Sequence, residues 1–280
     1  MLKYLTILLD DAAVSFCHYK VRKCPNVISE EVLRKGITFA MKENLSTQFV
    51  FPNHELPEYV YDIIATIEHT KIGKEDVIVY NEWPHRFNEY ENCVIRISIK
   101  DLVNVELSSV LPMRMNIMLT DIQSCTNEDF ISYKSWLEHN AEMLKGKNCQ
   151  INILTDRTTL SQMNNCNAGY ESITLAPDGK FYVCPGFYQD NMDDVGDLYD
   201  GLRIKNQHLY ELRYAPICRT CDAYHCKRCI WLNKKTTLEV NTPSKEQCVI
   251  SHLERNASRI LSPERIKEIK CLDPFENLTK

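Results

Sequence analysis

The chain has 280 residues, 33 Lys and Arg against 38 Asp and Glu, a net charge of −5 and 44% apolar residues. That length can bury a sizeable core as one large domain or two smaller ones. No apolar stretch is long enough to cross a bilayer, and the opening MLKYLTILLDDAAVSF, broken by Asp10 and Asp11, lacks a signal-peptide pattern; the expectation is a soluble, cytoplasmic protein.

In chain order, six short apolar runs have strand length: Tyr4–Leu9, Gln48–Phe51, Val77–Tyr80, Cys93–Ile99, Met113–Leu119 and Gln150–Leu154. Amphipathic stretches lie between several of them. Ser29-Glu30-Glu31 opens one that places Val32, Leu33, Ile37 and Ala40 at helical spacing. A second runs from Glu55 through Ile67, with Tyr59, Ile63 and Ile67 on one face. A third, Glu128 to Leu144, follows the N-cap candidates Thr126-Asn127 and turns Phe130, Tyr133, Trp136, Leu137 and Leu144 inward. The link Asn81–Asn92 carries no helical pattern. This alternation predicts an α/β fold: a layer, or a partial (β/α)6 barrel built from right-handed crossovers.

The pattern breaks at Asn164-Asn165, so residues 1–165 form the expected α/β domain and 166–280 a smaller cysteine-rich one. There, Pro177-Asp178-Gly179 predicts a tight turn between two strand-like runs, which would bring Cys184 back beside Cys166. Asp190, Asp193, Asp194, Asp197 and Asp200 read as a solvated connector; their spacing does not match an EF-hand calcium loop. Glu246 to Ile260 predicts a helix beginning beside Cys248, with Leu261-Ser262-Pro263 starting another.

Seven of the thirteen cysteines form a ladder: Cys166, Cys184, Cys218, Cys221, Cys226, Cys229 and Cys248. The odd cysteine total and the size of the chain argue against a disulfide framework. Zinc ribbons set their two CxxC knuckles about 15–20 residues apart, whereas only Asp222-Ala223-Tyr224-His225 separates Cys221 from Cys226. Such compactness is nearer to ferredoxin-type runs, where close thiolates wrap a cuboidal cluster and a remote one completes the shell. Two zinc ions sharing the seven cysteines, with His225 as an eighth ligand, are the alternative. Residues 203–235 hold eight basic side chains against two acidic ones, a local net of +6. Cations offset the negative charge of a thiolate-bound cluster. A nucleic-acid patch, with Tyr210, Tyr214, Tyr224 and Trp231 interleaved, has less support because the chain as a whole is acidic.

Cys166-Asn-Ala-Gly169, followed by Ile173-Thr-Leu-Ala-Pro-Asp-Gly179-Lys-Phe-Tyr-Val-Cys184-Pro185, resembles the opening of the SPASM domain, the auxiliary-cluster module of radical SAM peptide-modifying enzymes. The cassette Cys218–Cys229 is one residue tighter than that pattern in each of two gaps. The resemblance implies two 4Fe-4S clusters, an outer one held by Cys218, Cys221, Cys226 and Cys248 and an inner one held by Cys166, Cys184 and Cys229. The full length resembles the CXXX repeat peptide maturases through Leu8–Tyr19, Leu111–Asp121 and Cys221–Asn233. That resemblance implies a bacterial system that modifies a ribosomally made precursor peptide with recurring cysteines.

The chain also departs from the radical SAM pattern. Where CxxxCxxC normally follows the first strand there are only Cys17 and Cys24, and the glycine-rich turn that would cradle SAM is missing from a chain with eight glycines in all. SAM is therefore a doubtful cofactor here; Cys17 and Cys24 could join a distant cysteine such as Cys93 or Cys125 in an unorthodox cluster. Asp10, Asp11 and His18 follow the first strand, where α/β folds place their chemistry. They read either as acid–base or peptide-contacting groups, or as caps and loop hydrogen bonds. Glu82-Trp83-Pro84-His85 has the same status, and Cys149 and Cys271 fit no pattern. Three functions remain: a redox peptide maturase; a non-catalytic partner that recognises the precursor or passes electrons to a separate radical SAM enzyme; and a zinc-stabilised binding protein.

Overall fold

The computed structural model describes residues 2–13, 26–52, 54–72, 78–84, 92–107 and 111–266. Cys17, His18, Cys24, His85 and Cys271 lie outside them. In chain order the elements are β1 (Tyr4–Leu8), α1 (Glu30–Lys42), β2 (Ser46–Val50), α2 (Glu58–Ile64), β3 (Thr70–Ile72), β4 (Ile78–Tyr80), β5 (Asn92–Ile97), α3 (Ile99–Leu102), β6 (Arg114–Leu119), α4 (Asn127–Leu144), β7 (Gln150–Ile151) and α5 (Asp156–Thr159). The C-terminal part adds β8 (Ser172–Leu175), β9 (Phe181–Tyr182), α6 (Pro185–Gln189), β10 (Gly196–Asp197), β11 (Gly201–Leu202), α7 (Ile230–Thr237) and α8 (Lys245–Leu261). The chain is a mixed α/β fold with parallel sheets.

Two compact units emerge, one of residues 1–77 and 167–211, the other of 78–166 and 212–280. Each draws on both sides of position 165.

The first unit is built on a sheet of order β3-β2-β1-β8-β9, parallel except for β9. The Pro177-Asp178-Gly179 turn forms as the sequence suggests. Gly179 takes φ +79°, which a side chain rarely adopts, and Asp178 accepts bonds from the Lys180 N–H and the Tyr182 hydroxyl. The sequence did not suggest that β8 of this hairpin would pair in parallel with β1, Tyr4 opposite Ser172. Helix α1 begins at the Ser29 cap and buries Leu33, Gly36, Ile37 and Ala40. At Gly36 an added Cβ would stand 2.3 Å from the Leu175 side chain on β8, so a glycine lets helix and strand approach closely. Phe39 of α1 packs on Phe181 of β9, ring centroids 4.6 Å apart.

The second unit carries a four-stranded parallel sheet, β4-β5-β6-β7. The expected strands are present, β7 shorter than its apolar run. Thr126 and Asp129 close a reciprocal capping box at the start of α4, worth about 1 kcal/mol. Phe130, Tyr133, Trp136, Leu137 and Leu144 are buried as their spacing requires. Val249, Ile250, Leu253 and Ala257 of α8 join the same core. Cys93 on β5 is a core residue at 1% exposure. The acidic run 190–200 is not a bare connector: Lys180 pairs with Asp194, Arg203 lies near Asp197 and Asp200, and β10 and β11 form a small hairpin.

Candidate metal centre

Six of the seven ladder cysteines belong to the second unit, and the seventh, Cys184, to the first. Cys218 sits in a short 3-10 turn, Cys218–Thr220, and Cys229 stands at the N-terminus of α7. Between them the chain makes two sulfur-centred turns. The Ala223 N–H donates to Cys221 Sγ and the Arg228 N–H donates to Cys226 Sγ, both at 3.4 Å. In each, the amide two residues on points back at the thiol. The second turn requires Arg228 at φ +47°, an uncommon conformation for a residue with a side chain, which persists only where its surroundings hold it. Backbone amides aimed at sulfur stabilise thiolate charge and tune a bound cluster.

The spacer 222–225, which the sequence shows only as unusually short, is anchored at every residue. Asp222 forms an ion pair with Arg255, 2.7 Å, and its carbonyl accepts from Arg157 Nε at 2.6 Å. Ala223 is fully buried. The Arg157 guanidinium lies over the Tyr224 ring, 4.2 Å from its centroid. His225 reaches Glu254 at 2.9 Å, and Tyr133 donates to the other oxygen of that carboxylate at 2.8 Å.

Cys166, remote in sequence, reaches this loop through backbone pairing. The Asn164 N–H donates to the Tyr224 carbonyl and the Cys166 N–H to the Lys227 carbonyl, while Arg228 Nε donates to Asn165 Oδ1 at 2.9 Å. As a result the fully buried Arg228 guanidinium has the thiols of Cys166, Cys218 and Cys226 within electrostatic reach; burial lowers its pKa and the three sulfurs oppose that. Burial also pushes the Cys218 thiol up to about 12. Cys226 is raised by burial too, against the lowering effect of the Ser251 hydroxyl and the Arg228 amide that donate to it.

Helix α8 presents a polar stripe to the loop. Ser251 bonds Cys226, His252 Nε2 lies 3.5 Å from Cys221 Sγ, and Arg255 holds Asp222. Cys248 lies one turn earlier on that same face, three and four residues before Ser251 and His252. The sequence reading missed Ser251, His252, Glu254, Arg255 and Tyr133. The repeat Cys248, Ser251, His252, Arg255 at helical spacing, beside a separate apolar stripe, was the available signal.

Two thiols that accept backbone N–H groups, with a buried cation in electrostatic reach of three sulfurs, are a donor set of the kind that suits thiolate ligation. Among the described residues no group of three or more Cys, His, Asp or Glu side chains is placed to hold a metal ion.

Several of the other described sequence candidates have local partners. Asp10 is buried and accepts the Ala12 N–H, with His54 3.8 Å from its other oxygen; Asp11 accepts the Tyr188 hydroxyl at 2.5 Å. Glu82, Trp83 and Pro84 follow β4, and Trp83 packs against the core. Cys93 and Cys125 are pushed up to about 12 by burial, and Cys149 donates to the Pro112 carbonyl. No described helix is long and apolar enough to cross a membrane.

No family model matches the chain, and no curated protein matches it significantly. Among solved structures it is similar to Streptococcus suis SuiB bound to precursor peptide SuiA, at 10% identity and a TM-score of 0.38 over 88% of this chain and 76% of that one. It is similar also to SuiB bound to S-adenosylmethionine, at 11% identity and a TM-score of 0.35 over 88% and 77% of the two chains.

Proposed function

We propose that this chain is an iron–sulfur protein acting in the maturation of a ribosomally made, cysteine-repeat precursor peptide. The observation that carries the reading is the loop Cys218–Cys229, in which two thiols each accept a backbone N–H and the buried Arg228 guanidinium is in electrostatic reach of the Cys166, Cys218 and Cys226 thiols. In this reading residues 1–165 are a degenerate, partial-barrel radical-SAM-like domain and 166–280 a SPASM-like module holding two 4Fe-4S clusters. Such clusters supply one-electron transfer, and an iron without a protein ligand can take a substrate thiolate. The chain's own residues set the environment: Arg228 offsets thiolate charge, and Ala223, Arg228 and Ser251 donate to the sulfurs.

A second reading, a non-catalytic partner that presents the precursor or electrons to a separate radical SAM enzyme, is favoured by the missing CxxxCxxC. The two are separated by mixing the reduced protein with SAM and a synthetic Cys-repeat peptide: formation of 5′-deoxyadenosine supports the enzyme, binding without turnover the partner. Anaerobic purification followed by iron and acid-labile sulfide analysis tests both. About eight irons per chain are expected for two cubanes. Stoichiometric zinc without sulfide would leave a zinc-stabilised binding protein instead.

A further inference from the structure

Leu238 closes α7 at φ +64°, the left-handed conformation that helix ends usually assign to glycine or asparagine. Among the described residues six non-glycines have positive φ. Four are asparagines, which tolerate it, and Arg228 is held inside the buried cysteine loop. Leu238 has neither reason, and its side chain is 73% exposed. A strained backbone that displays an aliphatic side chain to water points to a contact made outside the chain. We propose that Leu238 anchors a docking surface for an acidic, leucine-bearing peptide segment of a partner. The surface lies wholly in the second unit and needs no metal, so it goes beyond the iron–sulfur reading and is independent of it.

Leu238 has neighbours of the same kind. Thr237 Oγ1 donates to the Thr242 carbonyl at 2.8 Å and folds the segment after α7 into a compact turn. From that turn Asn241 donates to the Tyr214 carbonyl at 2.9 Å, which ties it to a ridge formed by residues 213–220. On the ridge only Ala215 and Cys218 are buried, while Tyr214 is 43% and Ile217 52% exposed. Single exposed apolar residues are ordinary; three on two joined turns make a patch.

The charge around the patch selects its occupant. The Arg213 guanidinium lies over the Tyr214 ring, 4.9 Å from its centroid, and Arg219 is exposed at the far end of the ridge. Lys234 Nζ donates to the Leu238 carbonyl at 2.9 Å. Residues 213–220 and 234–242 hold four basic side chains against the one carboxylate of Glu239, a net of +3 in a chain of net −5. Apolar anchors ringed by cations complement a segment whose carboxylates flank apolar side chains. A bilayer suits the patch less, because the exposed Glu239 would be carried in with Leu238. A nucleic acid would use the cations for its phosphates and leave Leu238 and Ile217 without a role.

The test is fluorescence anisotropy of labelled acetyl-Glu-Glu-Leu-Leu-Glu-Glu-Leu-Leu-Glu-Glu-amide titrated with the full chain. Saturable binding that weakens as salt rises is expected. Leu238→Gly should weaken it about tenfold through loss of the anchor, with a thermal midpoint at or above that of wild type because glycine relieves the backbone. Arg213→Glu with Arg219→Glu should weaken it by a similar factor, as should Gln for each Glu in the peptide. Absence of saturation by about 100 μM chain overturns the proposal, as does wild-type affinity in Leu238→Gly. Tighter binding of phosphatidylserine vesicles or of a thymidine oligonucleotide, lost in the same variants, also overturns it and assigns the face to a membrane or a nucleic acid. None of these readouts depends on iron content, so failure here leaves the iron–sulfur reading standing.

Discussion

Arg255 and Asp222 form a 2.7 Å ion pair with both side chains sealed from solvent, and this pair fastens α8 to the spacer between Cys221 and Cys226. Removing one partner takes from the other its paired counter-charge inside the fold. Arg255→Met should destabilise the protein by about 3–5 kcal/mol, and the double variant Asp222→Leu/Arg255→Met by less, because it removes both buried charges together. Urea denaturation of the metal-free protein measures both. A single variant within about 1 kcal/mol of wild type would show that the pair does not anchor the loop.

Cysteine replacements should sort by position. On the proposed two-cluster reading, Cys218→Ser and Cys226→Ser should each lose roughly half of the iron, since each would remove one thiolate from one of the two clusters. Cys149→Ser should lose none, because its thiol is committed to the Pro112 carbonyl. Equal loss in all three would sink the assignment of the ladder.

Alkaline pH should weaken the metal-free fold through the core thiols. Cys93 and Cys125 are pushed up to about 12 by burial, whereas an unfolded cysteine titrates near 8.5. Above about 8.5 the unfolded chain gives up protons that the folded chain keeps, so stability falls as pH rises from there towards 12. It is fully present below that window. Denaturation midpoints from pH 7 to 10.5 should decline, and the double variant Cys93→Ala/Cys125→Ala should show a shallower slope. An unchanged slope would mean that these thiols do not drive the loss.

Gly169, three residues after Cys166, should tolerate no side chain. Its φ is +79°, and a Cβ would stand 2.4 Å from Tyr210 Cδ1 and 2.7 Å from Cγ of the same ring. Tyr210 is itself buried, so the ring cannot swing clear into solvent. Gly169→Ala combines backbone strain with overpacking and should cost about 2–4 kcal/mol, read as a lowered thermal midpoint. A wild-type midpoint would show that the ring yields.

Local patterns carried much of this protein. Ser29 and Thr126 cap the helices their spacing announces, Pro177-Asp178-Gly179 turns where it should, and the apolar faces of α1 and α4 are buried, because caps, turns and periodicity depend on residues a few positions apart. What sequence spacing could not encode was which distant segments meet. That β8 pairs with β1 depends on a Gly36–Leu175 approach across 139 positions, and that Cys166 reaches the Cys218–Cys229 loop depends on backbone bonds to Tyr224 and Lys227. The roles of Arg228, His225 and Glu254 were likewise decided by burial: a charged or polar group excluded from water must find a partner in space, wherever the chain supplies one.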